Sequence, residues 1–91
     1  MVALGMNANL LVAQNLRRRR IEAGLSQEGF AHEAGVDRTY VSRIERGMEN
    51  CTVAILQKFA ETIGCDIRDF FDPDIDGQPA PKPLKVGRKP K

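Results

Sequence analysis

The chain has 91 residues, 42% of them hydrophobic and 29% charged, which is enough for one small core and too few for two. No run approaches the ~18 to 20 consecutive apolar residues of a membrane-spanning helix, and near the N-terminus the arginines follow the apolar stretch, the reverse of a secretory signal. A cytoplasmic protein with no membrane role is expected, and the formal charge of +2 says little about partners, because residues 1–71 hold nine Lys and Arg against nine Asp and Glu.

Residues 1–8 are expected to form a flexible N-terminus. A first helix is predicted over 9–23, with Val12, Leu16 and Ala23 on one face and Gly24 as its stop. Ser26 is a good N-cap for a second helix, which carries Phe30, Ala31 and Ala34 and ends at Gly35. Asp37 is the expected cap of a third, with Val41 and Ile44 inward and Gly47 ending it. A fourth is predicted over 52–63, with Val53, Leu56, Phe59, Ala60 and Ile63 as its apolar stripe and Gly64 after it. Ile67, Phe70 and Phe71 form a short apolar turn or fifth helix closing the core. All five prolines lie beyond Phe71, so the domain spans 9–72 and a Pro/Lys-rich, disordered tail occupies 73–91. Alternating polar and apolar segments are absent, and the domain is predicted to be all-α, with four to five helices.

The informative stretch is residues 27–46, two short helices joined by a glycine-containing break. Small Ala31 lets the second helix cross closely over the third, and Gly35 accepts the positive φ of a sharp turn. Once Phe30, Ala34, Val36, Val41 and Ile44 are buried, Arg38, Thr39, Ser42, Arg43 and Arg46 remain outside on the third helix. That face is basic and polar, with no carboxylate unless Glu45 is counted.

The segments GLSQEGFAHEAGVDRTYVSRIERG and TVAILQKFAETIGCDIRDFF resemble the XRE family, the helix-turn-helix proteins of the Cro and lambdoid phage repressor kind. The resemblance covers about residues 12–71, and DRTYVSRIERG, with Asn50 and Thr52 after it, is similar to the short controller proteins of restriction-modification systems. It implies a λ-repressor-like fold whose third helix enters the major groove of a DNA operator, roughly 12 Å wide. Arg38, Thr39 and Arg43 match positions that read bases in related repressors, and Gln27 matches one that contacts phosphate and braces the recognition helix. Tyr40, Ser42, Arg46 and Asn50 are placed to bond phosphates, which fixes register without reading sequence. Arg20 and Glu45 match positions that form a buried ion pair in the family, so both are assigned to structure. The arginines at 17–20 read as a solvated face plus that one pair, with phosphate contact by Arg17 or Arg18 as the competing role. Arg19, where relatives have leucine, implies a more polar first helix, and Gly29 should weaken the second helix by somewhat under ~1 kcal/mol.

A homodimer on a palindromic operator is expected, because one recognition helix covers only a few base pairs. Ile55, Ile67 and Phe71 are the candidates for the dimer surface, since not all of them can point into one small core. His32 has no second ligand at i+4, so no metal is expected, and no cofactor either. Cys51 and Cys65 lack CxxC spacing and read as small apolar filler. An enzyme is not expected: there is no assembled nucleophile and base, and no phosphate-cradling Gly-rich loop. The competing function keeps the fold but uses it for protein interaction, as an antitoxin or as an adaptor in contact with RNA polymerase.

Overall fold

The computed structural model describes residues 7–73. Most of the expected flexible N-terminus and all of the expected tail beyond residue 73 lie outside the described residues. Four α-helices follow one another: α1 (Ala8–Glu22), α2 (Gln27–Ala34), α3 (Arg38–Glu45) and α4 (Val53–Ile63), and a 3₁₀ turn (Ile67–Phe71) comes after them. No strand occurs among the described residues.

Local chemistry explains where these elements start. The Asn7 carboxamide accepts from Leu10 N (2.8 Å), the Ser26 hydroxyl from Gly29 N (2.9 Å) and the Thr52 hydroxyl from Ile55 N (3.0 Å), so each satisfies an orphan donor of its helix. Asp66 and Asp69 close a reciprocal capping box on the 3₁₀ turn. Asp37 departs from expectation. It stands in extended backbone at the start of α3, but its side chain is exposed and makes no cap hydrogen bond. Its backbone carbonyl accepts from Tyr40 N (3.1 Å) and Val41 N (3.3 Å).

Leu16, Phe30, Val41, Ile44, Phe59 and Phe70 fill the centre, each at most 1% exposed. Burying side chains of this kind stabilises the fold by about 1.5 to 3 kcal/mol each relative to exposure. Phe30 of α2 and Phe59 of α4 meet in a tilted arrangement, with centroids 4.9 Å apart and planes at 58°. Phe70 of the 3₁₀ turn completes the cluster beneath α1 and α4.

Three apolar assignments are corrected. Ala23 is exposed because it sits past the last helical residue of α1 as its cap, and Ile21 is buried near that end instead. Val53 is 74% exposed as the first residue of α4, ahead of the turn that packs. Of the two C-terminal phenylalanines only Phe70 closes the core, and Phe71 remains 43% exposed. Asn15, which interrupts the apolar pattern of the sequence, is buried at 2% exposure. Its Nδ2 donates to Leu11 O (3.0 Å) and to Asp72 O (3.1 Å), which ties α1 to the chain after the 3₁₀ turn.

Candidate nucleic-acid interface

The third helix is short, and its composition dictates its orientation. Val41 and Ile44, three residues apart, are both buried, so one face is fixed against the core. Arg38, Thr39 and the C-terminal cap Arg46 are then exposed, and Ser42 and Arg43 are partly so. Tyr40 lies between the two faces, half-buried and packed against the core cluster. Burial, helped by Cys51 and Glu49 nearby, raises its phenol pKa.

The angle between α2 and α3 comes from the turn joining them. Gly35 has φ +73°, a left-handed conformation that side-chain-bearing residues rarely adopt. Its N–H donates to His32 O (3.2 Å), and the Val36 N–H donates to Ala31 O (3.0 Å), the pair of bonds that closes a Schellman motif. Ala31 itself is 2% exposed, small enough for close contact with the neighbouring helices.

Beneath this unit lies a buried polar knot. Arg20 donates from Nε to Glu45 Oε2 (2.7 Å) and from Nη2 to Glu45 Oε1 (3.0 Å), a bidentate pair with side chains only 8% and 3% exposed. Arg20 Nη1 donates to Leu25 O (2.7 Å), and Gln27 Nε2 donates to Glu45 Oε1 (3.1 Å). Four segments are thereby joined: α1, the turn after it, the start of α2 and the end of α3. Gln27 commits a donor to this knot, so bracing of α3 is the role visible in the fold.

The four consecutive arginines do not form one basic patch, because successive helical residues are rotated by about 100°. Arg17 is exposed on α1, Arg18 pairs with Glu22 (3.2 Å), Arg19 with Asp69 (3.7 Å) and Arg20 with Glu45.

Two features of the α3 surface were not legible in the sequence. Glu49, in the loop after α3, accepts from Arg43 Nε at 2.9 Å. A carboxylate from the loop after α3 therefore lies beside its basic and polar exposed face. Gly47 makes this pairing reachable: at φ +75° it reverses the chain, and Met48 N then donates to Arg43 O (2.9 Å), folding the loop back along the helix. The reversal was predictable from Gly47, whereas the partner of Glu49 was not. In addition, Asn9 Nδ2 donates to Asn50 Oδ1 (2.6 Å) across 41 residues, which orients the exposed Asn50 amide with its own NH₂ group free to donate. Among the described residues no carboxylate lies within ion-pair distance of Arg38 or Arg46.

Ile55 and Ile67 are half-buried against the core, while Phe71 projects. His32 is exposed, and no group of three or more His, Cys, Asp or Glu fit to hold a metal occurs among the described residues. No helix among them is long and apolar enough to cross a membrane. Chemically, the outer side of α3 offers guanidinium forks and hydroxyls at a rigid spacing, a set suited to the acceptors of base edges and phosphates.

Comparison with known proteins agrees with this geometry. The helix-turn-helix family model matches residues 16–70. Control protein C.BamHI of Bacillus amyloliquefaciens is 36% identical over 67 residues, spanning 72% of this chain and 83% of that protein. The crystal structure of the restriction-modification controller protein C.AhdI from Aeromonas hydrophila superposes with a TM-score of 0.67 at 36% identity, covering 69% of this chain and 96% of that one. The hypothetical transcription factor NHTF from Neisseria superposes with a TM-score of 0.73 at 30% identity, covering 85% and 91%. The chain belongs to the helix-turn-helix family of XRE type, a family of DNA-binding transcription regulators.

Proposed function

We propose that the protein is a sequence-specific regulator of the controller type, which works in the cytoplasm as a homodimer and binds a palindromic operator through α3. The observation that carries this reading is the outer side of α3, where Arg38, Thr39 and Arg43 project from a helix held rigidly by Val41, Ile44 and the Arg20–Glu45 pair. Arginine donates two parallel bonds to guanine O6 and N7, and threonine meets a thymine methyl or an acceptor. Each good bidentate contact contributes about 1 to 3 kcal/mol of discrimination. Ser42, Tyr40, Arg46, Asn50 and Arg17 serve the phosphates, with Asn50 presented by Asn9. Gln27 supports α3 from within and retains a second amide hydrogen for a phosphate oxygen.

One such helix covers a few base pairs only, and a dimer placing two of them one turn of DNA apart, about 34 Å, supplies the affinity. The apolar side chains left partly uncovered at Ile55, Ile67 and Phe71 form the dimer surface in this reading. The likeness to C.BamHI and C.AhdI supports a role in controlling restriction-modification genes.

Selection of bound duplexes from a random pool tests the proposal and yields the half-site. Arg43→Ala should then abolish the preference at one base pair per half-site, whereas Asn50→Ala should weaken matched and scrambled duplexes about equally. Identical behaviour of the two variants on matched and scrambled DNA would refute the base-reading assignment.

A further inference from the structure

The geometry of the Arg43–Glu49 pair is selective. Glu49 takes the Nε hydrogen (2.9 Å), while among the described residues neither Nη atom of Arg43 has a hydrogen-bond partner. The end-on edge of the guanidinium, Nη1 and Nη2, is the edge that forms the bidentate contact to guanine, and it stays open. Both side chains are reachable from outside, at 42% and 32% exposure, so the pair lies on the surface and not in the core. The loop that carries Glu49 is itself pinned by the Met48 N to Arg43 O bond (2.9 Å), which fixes the carboxylate relative to the helix it serves.

From these contacts we infer that Glu49 is a positioning residue that sets the specificity of Arg43, holding its guanidinium extended and oriented for a guanine before DNA arrives. This inference rests on the base-reading role of Arg43 proposed above. Two physical consequences distinguish it from a merely structural ion pair. A long, freely rotating arginine loses rotamer freedom when it docks, and prior restraint removes part of that cost only where the matching base is present. A carboxylate beside the phosphate backbone also repels any duplex, so Glu49 lowers affinity for DNA in which Arg43 finds no guanine. The first effect widens the gap between matched and mismatched operators, while the repulsion weakens every duplex and leaves that gap unchanged.

The experiment uses the full chain, the operator obtained by selection, and a set of duplexes in which each base pair of the half-site is replaced in turn. Glu49→Ala should shrink the preference at the base pair that depends on Arg43 by about two- to tenfold, the range expected for one restrained side chain, and leave preferences elsewhere unchanged. Binding to scrambled duplex should be as tight as for the parent protein or tighter, since a negative charge is gone. Glu49→Gln, which keeps an acceptor for Nε, should retain most of the preference while showing the same strengthened scrambled binding. The inference is overturned if Glu49→Ala leaves that preference intact, changes it at another base pair, or weakens all duplexes alike. If Arg43→Ala alters no base preference, the base-reading role itself fails and the inference falls with it. If Arg43→Ala removes a preference that Glu49→Ala spares, only the positioning role fails.

Discussion

The Cys51 thiol sits half-buried in the loop before α4, and burial first, then the neighbouring Glu49 carboxylate, push its pKa from 9.0 to about 11. The folded state favours the neutral thiol, so its contribution to stability is complete below about pH 9 and is lost as pH rises toward about 11. Tyr40, also raised, acts in the same direction. The urea midpoint of the parent protein should therefore hold steady near neutrality and fall across that alkaline window, and Cys51→Ala should make the fall shallower. An equally steep fall in the variant would show that the thiol is not a source of the dependence. Gly29 marks the limit of single-residue reasoning. The sequence counts it as a weak spot in α2, but a Cβ there would stand 3.2 Å from the Ser26 hydroxyl oxygen that caps the helix. The propensity lost to glycine, under ~1 kcal/mol, is set against an uncrowded cap.

Among the elements, α1 departs furthest from a simple amphipathic pattern. Its buried residues include Asn15 and Arg20 beside Val12, Ala13, Leu16 and Ile21, because polar partners wait inside: the Leu11 and Asp72 carbonyls for Asn15, and Glu45 and the Leu25 carbonyl for Arg20. Hydrophobic periodicity cannot register a partner 57 residues away, as Asp72 is from Asn15. The knot at Glu45 joins α1, α2 and α3, so the orientation of α3 depends on it. Replacing the pair with apolar residues could be neutral, but removing one partner leaves the other charge buried and alone. Glu45→Ala should cost about 3 to 5 kcal/mol in urea unfolding, far beyond the ~1 kcal/mol expected of an exposed ion pair. A loss within the exposed range would mean that water reaches Arg20 and that α3 is held by Val41 and Ile44 alone.

For the whole molecule, the proposed homodimer is the claim to test. Phe71, at 43% exposure, and the half-buried Ile55 and Ile67 lie in α4 and the 3₁₀ turn at the C-terminal side, and these are the residues proposed for the pairing surface. On the proposed homodimer, Phe71→Arg should shift the protein toward monomer in sedimentation equilibrium. It should also weaken binding to the full operator by far more than binding to an isolated half-site. If the variant sediments as the parent does, the proposal that this surface pairs two copies fails.

The number, order and ends of the helices follow from local rules of chain geometry: glycine where φ must turn positive, serine or threonine where amide donors need an acceptor, apolar residues at helical spacing. Those rules also placed Arg38, Thr39, Ser42 and Arg43 on one side of α3, since burying Val41 and Ile44 leaves them no other. Charge pairing is different, because a carboxylate chooses among cations by distance in space, and distance is a product of the packed chain. Only the tertiary structure decided that Arg19 would meet Asp69, that Asn9 would reach Asn50, and that Glu49 would fold back onto Arg43.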